Sequence, residues 1–121
     1  MKIKRFEDIE AWQAARKLVN MVYEAVNSSI KFKKDFRMSG QITNAAVSVM
    51  SNIAEGFSRR SNKEFMQFLY ISKSSVSEVQ SILYAALDQK YINKEMFQKI
   101  YGQADKVSQI NSGFIKYLLT Q

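Results

Sequence analysis

Apolar residues recur along this chain at spacings of three and four, the period of a helix that buries one face. One stripe runs through Ile9, Trp12, Val19, Val22, Val26 and Ile30, and a second through Ile42, Ala45, Ala46, Val49, Ile53 and Phe57. A third carries Phe65, Phe68, Leu69, Ser72, Val76, Val79, Leu83, Ala86 and Leu87. The fourth carries Met96, Phe97, Ile100, Ala104, Val107, Ile110, Phe114, Tyr117 and Leu118. The pattern predicts helices over about 7–30, 36–58, 62–89 and 94–119. Start signals agree with it. Ser61-Asn62-Lys63-Glu64 reads as a capping box, and Asn93 can cap the fourth helix with Glu95 placed against its dipole. Glu7 and Asp8 open the first helix in the same sense. Short connections make neighbouring helices antiparallel. The expected fold is all-α: one domain over residues 1–121, an antiparallel up-down-up-down four-helix bundle.

The second helix departs from a simple amphipathic pattern. It carries no charge from Met38 to Ala54, and beside its core stripe lies another, Val47, Met50, Ala54 and Phe57. In so short a chain a helix apolar on two faces has too few partners to bury both, so the extra stripe reads as a subunit interface. Met66, Tyr70 and Ile71 widen the third helix's stripe in the same way. The candidate interface of a homo-oligomer is therefore Val47, Met50, Ala54, Phe57, Met66 and Tyr70; the alternative is a thick core with some exposed aliphatics. Gly102 and Gly113 are eleven residues apart and share one helix face. They read either as a close backbone contact or as tolerated weak spots.

Composition narrows the chemistry. The chain of 121 residues has no cysteine, histidine or proline, which removes disulfides, thiolate nucleophiles, zinc–sulfur sites and the commonest general base. The start MKIKRFEDIE turns acidic where a secretory leader would be apolar, and no stretch is apolar enough to span a bilayer. The expected compartment is the cytoplasm, with no membrane partner. Lysine and arginine number 18 against 11 acids, a net charge of +7 that favours phosphate-bearing or other anionic partners.

Up-down-up-down topology sorts this charge to the two ends. One end gathers Lys2, Lys4, Arg5, Arg59, Arg60, Lys63 and Lys116 with Glu7, Asp8, Glu10, Glu55 and Glu64, seven cations against five acids. The other holds Lys31, Lys33, Lys34, Arg37, Lys90 and Lys94 with Asp35, Asp88 and Glu95, six against three. Lys31, Lys33, Lys34 and Arg37, and Arg59, Arg60 and Lys63, are the candidate nucleic-acid contacts, acting on phosphates without reading sequence; solvated loop charge is the plain alternative. Phe65, Phe68, Phe97 and Phe114 fall on core stripes and are not expected to stack on bases.

Ser51, Asn52, Glu55 and Gly56 form a compact polar motif near the end of the second helix. A helical Ser–Glu pair without histidine lacks an oriented base, so no catalytic residue is assigned. Glu55 can pair with Arg59, and Asn52 and Glu55 are expected to satisfy backbone groups as the helix ends near Gly56. Neither a Gly-rich phosphate loop nor acids at metal-ligand spacing are present, and no metal or cofactor is expected.

The opening FEDIEAWQAARKL and the central AAVSVMSNIAEGFSRRSNKEFMQFLYISKSSVSEV closely resemble the bacterial four-helix-bundle family of 23S rRNA intervening-sequence proteins, over essentially the whole chain. Members are small cytoplasmic bundles, some encoded within insertions in large-subunit ribosomal RNA genes. A related protein, the accessory variability determinant of diversity-generating retroelements, forms a basic pentamer that binds nucleic acid and a reverse transcriptase. The resemblance therefore implies a bundle, a pentamer as the oligomer, and by analogy RNA, DNA or a reverse transcriptase as partner. Three positions depart from the family pattern: Met50 stands where a proline is usual, and Thr43 and Asn44 where basic residues often follow Gln-Ile. The functional expectation is a non-enzymatic oligomeric bundle that binds nucleic acid through its basic ends. Its rival is a protein-interaction scaffold whose charge serves only solubility.

Overall fold

The computed structural model describes residues 3–121; Lys2, counted above in one basic end, lies outside them. The described chain is helical throughout: α1 (Glu10–Asn27), the short α2 (Ile30–Lys34), α3 (Phe36–Phe57), α4 (Asn62–Asp88) and α5 (Lys94–Leu119). Helix α1 packs against α3 and α5, and α4 packs against the same two from the opposite side. The result is the antiparallel four-helix bundle that the stripes predicted. Leu18 and Val22 of α1, Val49 and Ile53 of α3, Leu69 and Leu83 of α4, and Ala104 and Val107 of α5 are fully buried in a single core. Each large aliphatic among them contributes about 1.5–3 kcal/mol by leaving water.

Caps set the helix limits. Ser61 Oγ accepts the Glu64 N–H at 3.2 Å, which is half of the expected capping box. In place of the other half, Ser61 Oγ–H donates to the Glu64 carboxylate. Asn93 accepts from Met96 N–H at 2.8 Å, and α5 runs over the predicted residues.

The first segment differs from expectation at both ends. Glu7 and Asp8 lie in a 3-10 turn, Phe6–Asp8, and α1 starts only at Glu10, because Ile9 stays extended with its side chain buried. Phe6 meets the edge of Trp12 at 5.1 Å and closes that turn over the bundle. At the far end α1 stops at Asn27, where Ser28 Oγ–H bonds back to the Ala25 carbonyl. A second helix, α2, then forms where a loop was expected. Ser29 caps it through Phe32 N–H, and Phe32, wholly buried, stacks on Tyr91 at 5.3 Å.

The glycines divide by role. A Cβ on Gly56 would lie 2.7 Å from Phe68 Cβ and 2.8 Å from Phe65 Cδ1, so the approach of α3 to α4 requires glycine there. Gly102 and Gly113 are exposed and a Cβ on either would meet nothing within 4 Å. The close-packing reading of that pair is thus overturned, and they are tolerated weak spots. Buried polar groups also cross the core. Ser72 Oγ–H donates to the Val49 carbonyl at 2.7 Å and accepts from Asn111 Nδ2 at 3.0 Å, while Asn111 Oδ1 has no partner among the described residues.

Candidate nucleic-acid interface

The seven candidate cations lie at opposite ends of α3. Its 22 residues set the two groups ~33 Å apart at the helical rise of 1.5 Å per residue. They form two separate patches.

At the α2 end, the inward turn of Phe32 leaves Lys31, Lys33 and Lys34 exposed, and Arg37 is exposed on the first turn of α3. Asp35 is the only acid between them. One of its carboxylate oxygens accepts the Met38 N–H at 3.1 Å, capping α3, and the other accepts the Tyr91 hydroxyl at 2.9 Å. The Met38 N–H, then the Tyr91 hydroxyl, hold the Asp35 carboxyl below the ordinary aspartate range, and the nearby Arg37 charge acts in the same direction. The same bond pushes Tyr91 above the ordinary tyrosine range. With both oxygens occupied, Asp35 makes no ion pair; among the described residues the ion pairs are Arg5–Glu7 and Arg59–Glu55.

The α4–α5 turn adds two more exposed cations at this end, Lys90 and Lys94. Lys90 has φ 63°, the left-handed conformation usually given to glycine just past a helix. Tyr91 N–H reaches the Ala86 carbonyl and Lys90 N–H the Leu87 carbonyl, the paired bonds of a Schellman turn.

The other end is wired differently. Arg59 bonds Glu55 at 2.8 Å and its guanidinium lies 4.7 Å from the centre of the Phe68 ring, whereas Arg60 and Lys63 are exposed at the start of α4. Arg59 and Arg60 border a shallow cavity of about 310 Å³ that Ser61, Asn62, Phe57, Phe114 and Tyr117 also line.

The polar motif is structural in its contacts. Glu55 holds Arg59 as expected, and Gly56 sits against Phe68. Asn52 does not serve the helix end: its amide donates to the Ser48 carbonyl at 2.8 Å and to Ser48 Oγ at 3.0 Å, one turn earlier. Ser48 Oγ in turn shares a 2.9 Å hydrogen bond with Ser75 of α4. Ser51 is exposed and has no bond to Glu55 among the described residues.

The interface candidates also occupy two places. Val47 is exposed, and Met50, Ala54 and Phe57 are half-buried on α3. Met66 is half-buried and Tyr70 exposed on α4. Met66 is five full turns from Tyr84, whose ring packs on Phe97 and Tyr101, so Met66 and Tyr70 mark the α5-facing edge of α4. Sequence reasoning placed Asp35 at this end but missed its bond to Tyr91, and it missed Phe36, which is 83 % exposed at the first position of α3.

Fold and surface together define a four-helix bundle with two basic ends and outward apolar side chains; no helix of the described residues is long and apolar enough to cross a membrane. The chain belongs to the family of 23S rRNA-intervening sequence proteins, whose pattern matches residues 7–113. It is also similar to a crystal structure from Bacteroides thetaiotaomicron, a protein of unknown function from the S23 ribosomal protein family. The two share 25% identity with a TM-score of 0.73, over 88% of this chain and 94% of the other. No curated protein matches the chain.

Proposed function

We propose that the protein is a non-enzymatic, homo-oligomeric bundle of the cytoplasm that binds RNA or DNA through the phosphate backbone. The observation that carries this reading is the α2 end: Lys31, Lys33, Lys34 and Arg37 are exposed, and the one acid among them spends both oxygens on Met38 and Tyr91. Unpaired cations keep their full charge for phosphate, whereas an ion pair must first be broken. Arg60 and Lys63 form a secondary patch, with Arg59 already committed to Glu55.

The outward apolar residues support the oligomer. Two unlike surfaces, Val47 and Ala54 on α3 and Met66 and Tyr70 on α4, suit a head-to-tail contact, which closes into a ring when its rotation permits. A pentamer follows from the family resemblance. On the rival reading the assembled ring presents a docking surface to another protein instead.

The test is fluorescence anisotropy of labelled RNA and duplex DNA against salt. Binding should weaken steeply as salt rises. Charge reversal at Lys33, Lys34 and Arg37 should reduce affinity more than reversal at Arg59, Arg60 and Lys63. No binding by the wild type at about 50 mM salt overturns the proposal. Val47→Glu should lower the mass measured by light scattering, and an unchanged mass removes Val47 from the interface.

A further inference from the structure

From the α2 end we infer a more specific ligand: an unpaired, single-stranded segment whose base stacks on Phe36 while Lys33, Lys34 and Arg37 hold the flanking phosphates. This rests on the nucleic-acid reading above and narrows it. Phe36 is 83 % exposed and stacks on no other aromatic ring among the described residues, so its face is open to a ligand. Its backbone is nonetheless fixed. Asp35, the cap of α3, is bound to Met38 N–H and pinned across the bundle end by Tyr91, so the ring stands on a rigid root. Cations lie within three residues on both sides of it. An exposed aromatic ring on an anchored backbone, within a stretch of unpaired cations, is the arrangement that takes up single strands: every base offers a π-face, and the backbone supplies the charge. A duplex keeps its base faces covered, so it can use only the cations.

Two other occupants fit less well. Helix α2 has one turn, with Phe32 inward and Lys31, Lys33 and Lys34 outward, so it lacks the broad apolar face that a helix lays into lipid. Ile30, 74 % exposed, is its one large outward apolar residue. A second copy docked end to end would set these cations against their own counterparts.

The experiment compares Phe36→Ala with wild type on a labelled single-stranded RNA and on its duplex, over a range of salt. We expect a loss of ~10-fold on the single strand, with the salt slope kept because no phosphate contact is removed. The duplex should change by less than about 2-fold. Phe36→Trp should retain binding, and its added fluorescence should be quenched by the strand. If Phe36→Ala binds the single strand as wild type does, the stacking site is wrong while phosphate binding stands. If wild type binds neither nucleic acid, both readings fall together. Two further results would overturn the inference: a lower oligomer mass for Phe36→Ala, which marks a second copy as the occupant, or capture by phosphatidylserine vesicles that Phe36→Ala abolishes, which marks lipid.

Discussion

The two ends of this bundle have nearly the same formal chemistry and opposite wiring. At the α2 end the acid is spent on the fold, because Asp35 caps α3 and bonds Tyr91, and four cations stay free. At the other end one of the five acids, Glu55, is spent on a cation, holding Arg59 against Phe68, while Arg60 and Lys63 stay exposed and the tight contact is made by a glycine. Local net charge hardly distinguishes them. What does is whether a carboxylate faces an N–H and a hydroxyl or a guanidinium.

The largest expected effect tests whether α2 belongs to the bundle or merely hangs from it. Phe32 is its one buried side chain, and truncation of a buried phenylalanine costs about 3–5 kcal/mol. Phe32→Ala should therefore lower the urea midpoint with little change in slope. A loss below about 1 kcal/mol would mean that α2 opens independently, and the rigid-end account would fail. At the opposite end, Gly56→Ala places a methyl group against the Phe68 Cβ and the Phe65 ring. Overpacking of this kind costs about 1–3 kcal/mol. The same substitution at Gly102 should be neutral or stabilising, because nothing lies within 4 Å of a Cβ there. Equal behaviour at both glycines would show that α3 and α4 do not meet as closely as Gly56 implies.

A smaller change of opposite sign belongs to the α2 end. Lys90 occupies a left-handed position where glycine costs nothing, so Lys90→Gly should raise stability by about 1 kcal/mol. It should also remove one cation without disturbing the Asp35–Tyr91 bond. If stability falls instead, the lysine side chain is supporting the turn and the strain account is wrong.

The sequence was informative where periodicity and caps coincide and silent where one residue decides. Helices α4 and α5 were legible because Ser61 and Asn93 are capping types beside long apolar stripes, and α3 from its stripe alone. Helix α2 was not, since one buried phenylalanine in a lysine-rich turn has no period to detect. Both basic clusters were visible as composition. Their difference was invisible because it hangs on Tyr91, 56 residues from the aspartate it engages. Ser72 was legible as a core position, but its partner Asn111 was not, because a buried amide in an apolar stripe resembles an exposed one until its neighbour is known. Of the second α3 stripe only Val47 is exposed, Met50, Ala54 and Phe57 being half-buried, and Met66 and Tyr70 lie on another edge of the bundle, toward α5.

The finest discrimination between the ends is by pH. Asp35 is held below its ordinary value, so its stabilisation is present above about pH 4 and is lost as pH falls through the lowered value. Tyr91 is raised, so its stabilisation is present below about pH 10 and is lost as pH climbs through the raised value. The bond should therefore stabilise the α2 end across a plateau between those limits. Tyr91→Phe removes Tyr91's share of the alkaline limb, leaving that of Tyr101, which burial also raises, and keeps most of the acid limb, because the Met38 N–H is the larger cause of the Asp35 shift. Urea midpoints of wild type and Tyr91→Phe should differ by a constant amount from about pH 5 to 9 and converge above about pH 10. Curves for wild type and Tyr91→Phe that stay parallel through the alkaline range would mean that the hydroxyl is not bound to Asp35 in solution. The carboxylate would then be free to neutralise Arg37, and the contrast between the ends would collapse.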